Sequence, residues 1–366
     1  MKLLIVTQKV DINDPILGFF HGWVIEFAKK FEQVTVICLE EGKHSLPENV
    51  RVYSLGKERF ENSNIENSLK IKNSKLKIFR RLKYISNFYK YIWRERKNYD
   101  SVFVHMNQEY VILGWKFWKL CGKKIYLWRN HPQGNFFTNI AVWVSNKVFC
   151  TSPSAYVAKF KKTLVMPVGV SVNTSIYTLE SRIQNLESKK SRILFLGRMS
   201  PIKRPEILIE ALNLLNKDGI DFQANFYGDP LLKDIYYYES LKSKTKEHGL
   251  ENKIIFHKGV LNEQTPKIYS EHNIFVNLTP SGSMDKTILE AGLSGCVPIV
   301  SNEYFNGIFD NKMIALGEVK YLAEKLKYWL NADEAEINKI SDKIIEYIKQ
   351  NHSLEILMNK LINIIK

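Results

Sequence analysis

The stretch RILFLGRMSPIKRP, residues 192–205, decides the fold assignment. Its apolar first half predicts a buried strand that ends at Gly197. Pro205 then opens a predicted helix, Glu206–Leu215, because proline is well tolerated in the first turn of a helix. A strand followed directly by a helix is half of a βαβ unit, so this stretch predicts a parallel sheet.

The same alternation of strand and helix runs along the rest of the chain. The other predicted strands are Lys2–Thr7, Gln33–Leu39, Val50–Ser54, Ser101–His105, Lys124–Arg129, Lys147–Thr151, Thr163–Pro167, Phe222–Tyr227, Lys253–Phe256, Ile274–Asn277 and Val297–Ser301. The pattern predicts an α/β fold of two Rossmann-like, doubly wound domains that face a central cleft. We expect them at residues 1–172 and 190–345, joined through the polar stretch Ser171–Lys190. A C-terminal helix, residues 346–366, is expected to pack back toward the first domain.

Composition excludes several classes of protein. The 366 residues are 45% hydrophobic and 25% charged, as in globular proteins, which excludes disordered, collagenous and small disulfide-rich chains. The cysteines lack paired spacing, which predicts a reducing compartment; they are Cys38, Cys121, Cys150 and Cys296. No window approaches the roughly 18 apolar residues of a membrane span, and residues 1–7 predict a buried strand and not a signal peptide.

Several common motifs are absent from the sequence. It contains no GxGxxG, GxxxxGK[ST], GxSxG, HExxH or DxD. The dinucleotide-binding, P-loop and α/β-hydrolase interpretations therefore lose their best signatures. Without DxD, a bound diphosphate would be neutralised by side-chain cations and backbone amides, and we expect no metal.

Two cations follow the strand that ends at Gly197. Arg198 and Lys203 lie in the turn before the predicted helix, where they could clamp a diphosphate. The alternative is that they are ordinary surface cations of a loop. Gly228 and Gly259 end two later strands, where a glycine would let a flat base approach the backbone, or would simply form a turn.

A small-residue loop precedes the last predicted helix of this half. The loop Ser281-Gly282-Ser283 offers backbone N–H groups to phosphate and sugar oxygens. Glu290, one to two turns into the helix, could accept both hydroxyls of a ribose. Taken alone, a helix glutamate more often lies on a solvated face.

With the cation turn, the glycine turns, the small-residue loop and the Glu290 helix in this order, the segment from Arg192 to about Phe305 resembles the donor domain of GT-B glycosyltransferases of family GT4. The resemblance implies that Arg198 and Lys203 bind the donor diphosphate and that Glu290 binds ribose. Gly282 stands where the family has the first glutamate of E-x7-E, as in a bacterial branch that lacks it, so Asp285 or Lys286 would contact the sugar. The other donor-binding residues that the resemblance implies are Gly18, Gly228, Lys258, Gly259, Val260, Ser281, Gly282, Ser283, Met284 and Thr287.

The first half resembles the acceptor side of that family more loosely. His131 matches the histidine that approaches the donor sugar, and with Arg198, Lys203 and Asp285 it completes the expected catalytic set. His105, Asn107 and Arg129 are expected on the acceptor side, at strand ends. Either histidine could instead be a packed strand-end residue.

The resemblance implies a retaining transfer from a UDP- or GDP-sugar, with front-face attack and no metal or other cofactor. The acceptor would be a glycan or a lipid-linked glycan in the synthesis of a cell-surface polysaccharide or glycoconjugate. The alternatives are a GT-B-type sugar-nucleotide epimerase, a hydrolytic phosphorylase-like enzyme, and a non-catalytic basic protein that binds anionic lipid or nucleic acid.

The segment Lys70–Lys97 is strongly basic. It holds eleven lysines and arginines against the single acid Glu95, interleaved with aromatic and apolar residues at helical spacing. A basic amphipathic helix suits an anionic membrane surface, which predicts a cytoplasmic protein held peripherally on the inner face of the membrane. The alternative is a docked helix with a lysine-rich solvent side. Nucleic-acid binding is not expected, because no DNA or RNA motif accompanies the charge.

Overall fold

The computed structural model describes residues 1–14, 16–61, 74–171, 192–281, 284–316 and 318–366. The chain forms two compact units. The first comprises Met1–Met166 together with Leu357–Lys366, and the second comprises Pro167–Ile356. Most of the predicted connection, residues 172–190, lies outside the described residues.

The first unit is built on a seven-stranded parallel sheet. Its strands are β1 (Lys2–Val10), β2 (Gln33–Glu41), β3 (Val50–Ser54), β4 (Ser101–His105), β5 (Lys124–Trp128), β6 (Lys147–Cys150) and β7 (Thr163–Val165). Their order in the sheet is β3-β2-β1-β4-β5-β6-β7. Its helices are α1 (Phe19–Lys30), α2 (Glu58–Glu61), α3 (Ser74–Arg94), α4 (Gln108–Leu120) and α5 (Phe136–Val144).

Helices cover both faces of this sheet, which explains its continuous apolar strands. In β4, Val102 and Val104 pack in the core shared with α3, α4 and α5. Phe103, between them, points to the other face and meets Phe27 of α1, with ring centroids 5.5 Å apart. A strand buried on both sides cannot show polar alternation, so runs such as residues 3–6 are wholly apolar.

The second unit has a five-stranded parallel sheet. Its strands are β8 (Arg192–Leu196), β9 (Gln223–Tyr227), β10 (Ile254–His257), β11 (Ile274–Asn277) and β12 (Val297–Val300), in the order β10-β9-β8-β11-β12. Its helices are α6 (Pro205–Lys217), α7 (Ile235–Glu247), α8 (Thr265–Ser270), α9 (Lys286–Leu293), α10 (Val319–Asn331) and α11 (Glu334–Asn351). A last helix, α12 (Leu354–Ile365), carries the chain into the first unit, where the Tyr126 hydroxyl donates to the Ile364 carbonyl at 3.2 Å.

The predicted elements are confirmed to within a few residues, and the differences have local causes. β1 continues past Thr7 because Lys9 and Val10 still pair with Glu40 and Glu41 of β2, and the Lys9 ammonium lies 2.6 Å from the Glu40 carboxylate. The helical tail is broken into α11 and α12. All four cysteines lie in the described ranges and are free thiols.

The strand order determines where a ligand is expected to bind in each sheet. In the second unit the chain winds outward from β8 to β9 and β10, then returns to the other side of β8 with β11. Ligands of doubly wound sheets bind where this reversal opens a crevice, at the carboxyl ends of the two central strands. Here those strands are β8, which ends before Gly197, and β11, which ends at Asn277. In the first unit the corresponding strands are β1 and β4.

Candidate functional site

The strand ends of the second unit are joined into one continuous edge. The Gly197 amide donates to the Tyr227 carbonyl at 3.0 Å, and the Gly228 amide donates to the His257 carbonyl at 3.2 Å. Gly228 has a φ of +150°, and a Cβ built on it would lie 1.9 Å from the Gly197 carbonyl oxygen. Only glycine therefore allows the two turns to meet. Arg198, the next residue of the first turn, is exposed.

Asp229 extends this edge to the turn that follows β10. Its carbonyl accepts from the Met199 amide at 3.2 Å, and its Oδ2 accepts from the Gly259 amide at 3.1 Å. Lys258 and Gly259 are exposed, and Val260 is half-buried against the core. These residues therefore lie on the same edge as Arg198, with the Lys258 side chain directed to solvent and the Gly259 amide already engaged.

Lys203 is held at the junction of β8 and β11. A 3₁₀ turn, Pro201–Lys203, is stopped by Arg204 at a left-handed φ of +52°, which turns the chain into α6. The Lys203 ammonium donates to Asp285 Oδ2 and, at 3.2 Å, to Thr279 Oγ1. The two side chains of the ion pair are 16% and 19% exposed. The structure thus brings together Lys203 and Asp285, two residues that are 82 positions apart.

Asp285 is the acceptor at the centre of this cluster. Its Oδ2 also accepts from Asn277 Nδ2 at 2.9 Å and from Thr279 Oγ1 at 3.1 Å. Burial acts to raise the pKa of the Asp285 carboxyl, but the Lys203 charge and these donors outweigh burial and lower it. The carboxylate is therefore ionised, and one of its oxygens is occupied before any sugar arrives.

Asn277 and Thr279 belong to this cluster, and the sequence analysis did not select them. Both are buried at the carboxyl end of β11, where Asn277 also donates to Thr287 Oγ1 at 3.2 Å. The signal was available: polar residues directly after a buried apolar strand at a switch point are candidates for a site. The predicted donor residue Thr287 thus has its hydroxyl engaged in the same cluster.

Lys286 and Glu290 form a pair one turn apart on α9. The Lys286 ammonium lies 3.7 Å from Glu290 Oε1, and both side chains are about one-fifth exposed. Burial lowers the pKa of Lys286 and raises the pKa of Glu290, each opposed by the charge of the other. Glu290 thus has a carboxylate whose charged form would gain from additional hydrogen-bond donors.

The loop before α9 is only partly described. Gly282 and Ser283 lie outside the described residues. Ser281 Oγ accepts from the Glu303 amide at 3.0 Å. The Met284 side chain is buried in the core, so its predicted contact to the donor would have to come from its backbone.

His105 requires a correction. It is 1% exposed, stacked on Phe20 with ring centroids 3.9 Å apart, and its Nδ1 lies 3.2 Å from Thr7 Oγ1. Burial lowers its pKa to about 3, so the ring is neutral at physiological pH. The expectation of an acceptor-side contact is not supported, because α1 covers the ring completely.

The remaining first-unit candidates lie at the ends of β4 and β5. Asn107 donates to Gln8 Oε1 at 2.6 Å, and Arg129 donates from Nε to Gln108 Oε1 at 2.9 Å. His131 is exposed, with Nδ1 3.0 Å from the Gln133 amide, so its Nε2 faces outward from that contact. These three side chains are positioned by local hydrogen bonds and remain at least partly accessible.

Gly18, also predicted to bind the donor, lies buried at the N-terminus of α1. Its amide donates to the Asp14 carbonyl at 2.9 Å. Its φ of −54° is ordinary for any residue. The Gly18 amide is therefore already engaged, and the contact of Gly18 to donor phosphates stays a prediction.

Comparisons with known proteins bear on this edge of the second unit. Residues 178–351 match the family model described as "Glycosyl transferases group 1". This region of the chain is therefore similar to group 1 glycosyltransferases. The matched region contains the Lys203–Asp285 cluster, Glu290 and the turns at Gly228 and Gly259. No curated protein matches the chain.

Solved structures of glycosyltransferases share the fold over the whole chain. HepE from Anabaena, solved in complex with UDP, has a TM-score of 0.75 at 17% identity, covering 100% of this chain and 99% of its own. Sucrose-phosphate synthase from Thermosynechococcus elongatus has a TM-score of 0.72 at 15% identity, covering 100% and 98%. The lipopolysaccharide outer core galactosyltransferase WaaB has a TM-score of 0.66 at 14% identity, covering 99% and 98%. The predicted GT-B fold class and the assignment as a glycosyltransferase are confirmed.

The described residues hold neither a candidate metal site nor a candidate membrane span. No group of three or more His, Cys, Asp or Glu side chains in those ranges is arranged to hold a metal ion. Within the same ranges, every helix is too short or too polar to cross a membrane.

Proposed function

We propose that this glycosyltransferase belongs to family GT4 and is a retaining, metal-independent enzyme that transfers a sugar from a nucleotide diphosphate to a glycan or lipid-linked acceptor in cell-surface polysaccharide or glycoconjugate synthesis. The observation that carries the proposal is the Lys203 ammonium, fixed at the β8–β11 switch point by Asp285 and Thr279. HepE, whose fold this chain shares, was solved with UDP and with UDP-glucose, which supports a UDP-sugar as the first donor to test.

The Lys203 ammonium is suited to bind a diphosphate because its partners among the described residues do not use all of its N–H groups. Lys203 has three N–H groups, and the described residues supply acceptors for two of them. The third N–H can then be directed at a phosphate oxygen without reorganisation. Arg198, exposed in the same turn, supplies a second cation. Together these two cations would stabilise the charge that develops on the leaving diphosphate, the task a metal performs in other transferases.

The proposed reaction balances without another reactant. The bond between the anomeric carbon and the donor phosphate oxygen breaks, and its electron pair stays on the diphosphate. The acceptor hydroxyl oxygen bonds to the anomeric carbon from the same face, which retains the configuration. The hydroxyl proton passes to the departing phosphate oxygen, so no protein nucleophile is needed. His131 Nε2 is the candidate to hydrogen-bond the sugar.

Glu290 is proposed to bind the donor ribose. Its carboxylate is partly exposed and has its pKa raised by burial. The two ribose hydroxyls would donate to its oxygens and so favour the charged form. Because Asp285 Oδ2 is engaged with Lys203, the sugar hydroxyls would be contacted by the other Asp285 oxygen or by Lys286.

The direct test is to titrate the protein calorimetrically with UDP, GDP and ADP, and to assay turnover of the matching nucleotide sugars. We expect a uridine or guanosine diphosphate to saturate below about 1 mM, a usual substrate range for enzymes. Turnover should be unchanged by EDTA, and the product should keep the anomeric configuration of the donor by NMR. Failure of all three nucleotides to bind would refute the proposal. Activity that is lost with EDTA and restored by Mn²⁺ would refute only its metal independence.

We also propose that the protein is cytoplasmic and binds the inner face of the membrane through α3. This helix has two apolar stripes. The inner one includes Phe88 and Ile92, which are wholly buried. The outer one includes Phe79, Leu82 and Trp93, each about 60% exposed, beside exposed Lys and Arg side chains. A docked helix with only a lysine-rich solvent side would not carry the second stripe.

Flotation with liposomes tests this placement. The double variant Phe79→Ser/Leu82→Ser should lower binding to vesicles that contain anionic lipid by at least about tenfold, because two apolar side chains no longer enter the interface. Neither side chain is buried, so the thermal unfolding midpoint should not change. Equal recovery of the native protein in neutral and anionic vesicles would contradict the electrostatic part of the proposal.

A further inference from the structure

The net charge of the chain is confined to one part of it. Residues 70–171 contain 20 of the 53 lysines and arginines but only three of the 38 acids. The remaining residues contain 33 basic and 35 acidic side chains, so without this part the chain would be slightly acidic. An overall coding bias toward lysine would spread the excess evenly. The confinement indicates a surface built for an anionic partner.

Nearly half of this excess lies beyond α3. Residues 98–171 contain nine basic residues and only the acids Asp100 and Glu109. The basic residues are Lys116, Lys119, Lys123, Lys124, Arg129, Lys147, Lys159, Lys161 and Lys162. Most of them lie near the ends of α4 and α5 or in the loops that follow, and not on the helix predicted to bind membranes.

Three of these lysines are grouped at the end of α5. The Lys162 ammonium donates to the carbonyls of Trp143 and Ser145, both at 2.9 Å, and so closes the C-terminus of the helix. Lys119 lies in the last turn of α4, which packs on α5, and Lys147 begins β6, three residues after α5 ends. Burial and the charges of these two lysines lower the pKa of Lys162. Like charges held near one another would gain from binding an anion.

Large apolar side chains project beside these lysines. Leu120, the last residue of α4, is 88% exposed, and Trp143, in the last turn of α5, is 73% exposed. α4 and α5 pack against each other. Their last turns lie at the same edge of the sheet, because each is followed within four residues by the start of β5 or β6, which are parallel neighbours.

We infer that Leu120, Trp143 and the lysines Lys119, Lys147 and Lys162 form a second membrane contact, here called the α4–α5 end surface, whose partner is an anionic lipid bilayer. Tryptophan prefers the headgroup region of a bilayer, a leucine at its side can enter the acyl region, and lysines pair with lipid phosphates. A bilayer engaging α3 and this surface together would bind more tightly than either alone. The inference rests on the proposed membrane association, but not on the proposed chemistry.

The experiment compares variants of the full chain in flotation with neutral phosphatidylcholine vesicles and vesicles containing 30% phosphatidylserine. The apolar variant is Leu120→Ser/Trp143→Ser and the charge variant is Lys119→Gln/Lys147→Gln. Their matched controls, from exposed side chains of the second unit, are Leu232→Ser/Tyr236→Ser and Lys246→Gln/Lys349→Gln. We expect both α4–α5 variants to lose at least about tenfold in binding to anionic vesicles, and both controls to bind as the native protein does.

The outcomes separate this inference from the membrane role of α3. If Phe79→Ser/Leu82→Ser weakens binding and the α4–α5 variants do not, the second surface is refuted and the role of α3 stands. If the native protein binds neither type of vesicle, both membrane roles are refuted. Nucleotide titration of the same variants should give the native Kd in each case, since none of the changed residues touches the donor site. A variant that loses nucleotide binding and membrane binding together has lost its fold. The single variant Lys147→Gln is then tested in its place.

Discussion

Replacing Lys203 with alanine is expected to lower kcat/KM for sugar transfer by about 10²–10³-fold while the protein stays folded. The loss is of the size seen when one preset donor to a developing negative charge is removed. Asp285 would keep its donors Asn277 and Thr279, so the buried carboxylate remains partly satisfied. The measurement is steady-state transfer with the donor identified by titration, alongside the thermal unfolding midpoint of each variant.

Two further variants make this prediction specific. Lys246→Ala removes an exposed lysine of α7 and should leave kcat/KM unchanged. Asp285→Asn keeps the shape of the side chain but removes the charge that fixes the ammonium, so kcat should fall more than KM changes, because the donor cation is then misplaced and not absent. A folded Lys203→Ala protein with native turnover would show that the diphosphate is held elsewhere on the molecule.

The fold could be predicted from the sequence because its signals are local. Apolar runs of four to six residues, separated by amphipathic segments, are enough to predict parallel α/β units. The placement of Lys203 could also be predicted, since it follows a strand within seven residues of Leu196. Its partner Asp285 was chosen only through the family resemblance, and Asn277 and Thr279 were missed, because sequence shows which strands exist but not which two lie side by side.

The two histidines show the same limit, that the sequence does not reveal which elements lie side by side. His105 and His131 both follow or end a predicted strand, and the sequence analysis expected both to contact a ligand, His131 at the donor sugar and His105 on the acceptor side. In the structure His105 ends a central strand under Phe20 of α1, whereas His131 lies beyond the end of β5 in a loop. The difference depends on which helix crosses which strand end, and this information is not local. The exposed stripe of α3 was hidden for a similar reason, because aromatic residues at helical spacing do not reveal which of two stripes faces the core.

Gly228→Ala is expected to destabilise the second unit by about 3 kcal/mol and to abolish turnover. Its Cβ would lie 1.9 Å from the Gly197 carbonyl oxygen and 2.8 Å from the carbonyl carbon, at a φ of +150° that side chains rarely adopt. Steric overpacking and backbone strain each cost about 1–3 kcal/mol, and relaxing either of them would separate the turn that carries Arg198 from the turn after β9.

Variants at two other glycines separate the contributions of steric overlap and backbone strain to this loss of stability. At Gly197 an added Cβ would meet only Lys203 Cδ at 4.0 Å, so Gly197→Ala should cost less than about 1 kcal/mol. Gly219 has a φ of +73° with nothing within 4 Å, so Gly219→Ala isolates backbone strain and should cost about 1 kcal/mol. Thermal unfolding should therefore rank Gly228→Ala well below both. If Gly228→Ala were as stable as Gly219→Ala, the close approach of the two turns would not be a constraint on the site. The turns after β8 and β9 could then move apart without displacing Arg198 and Lys203.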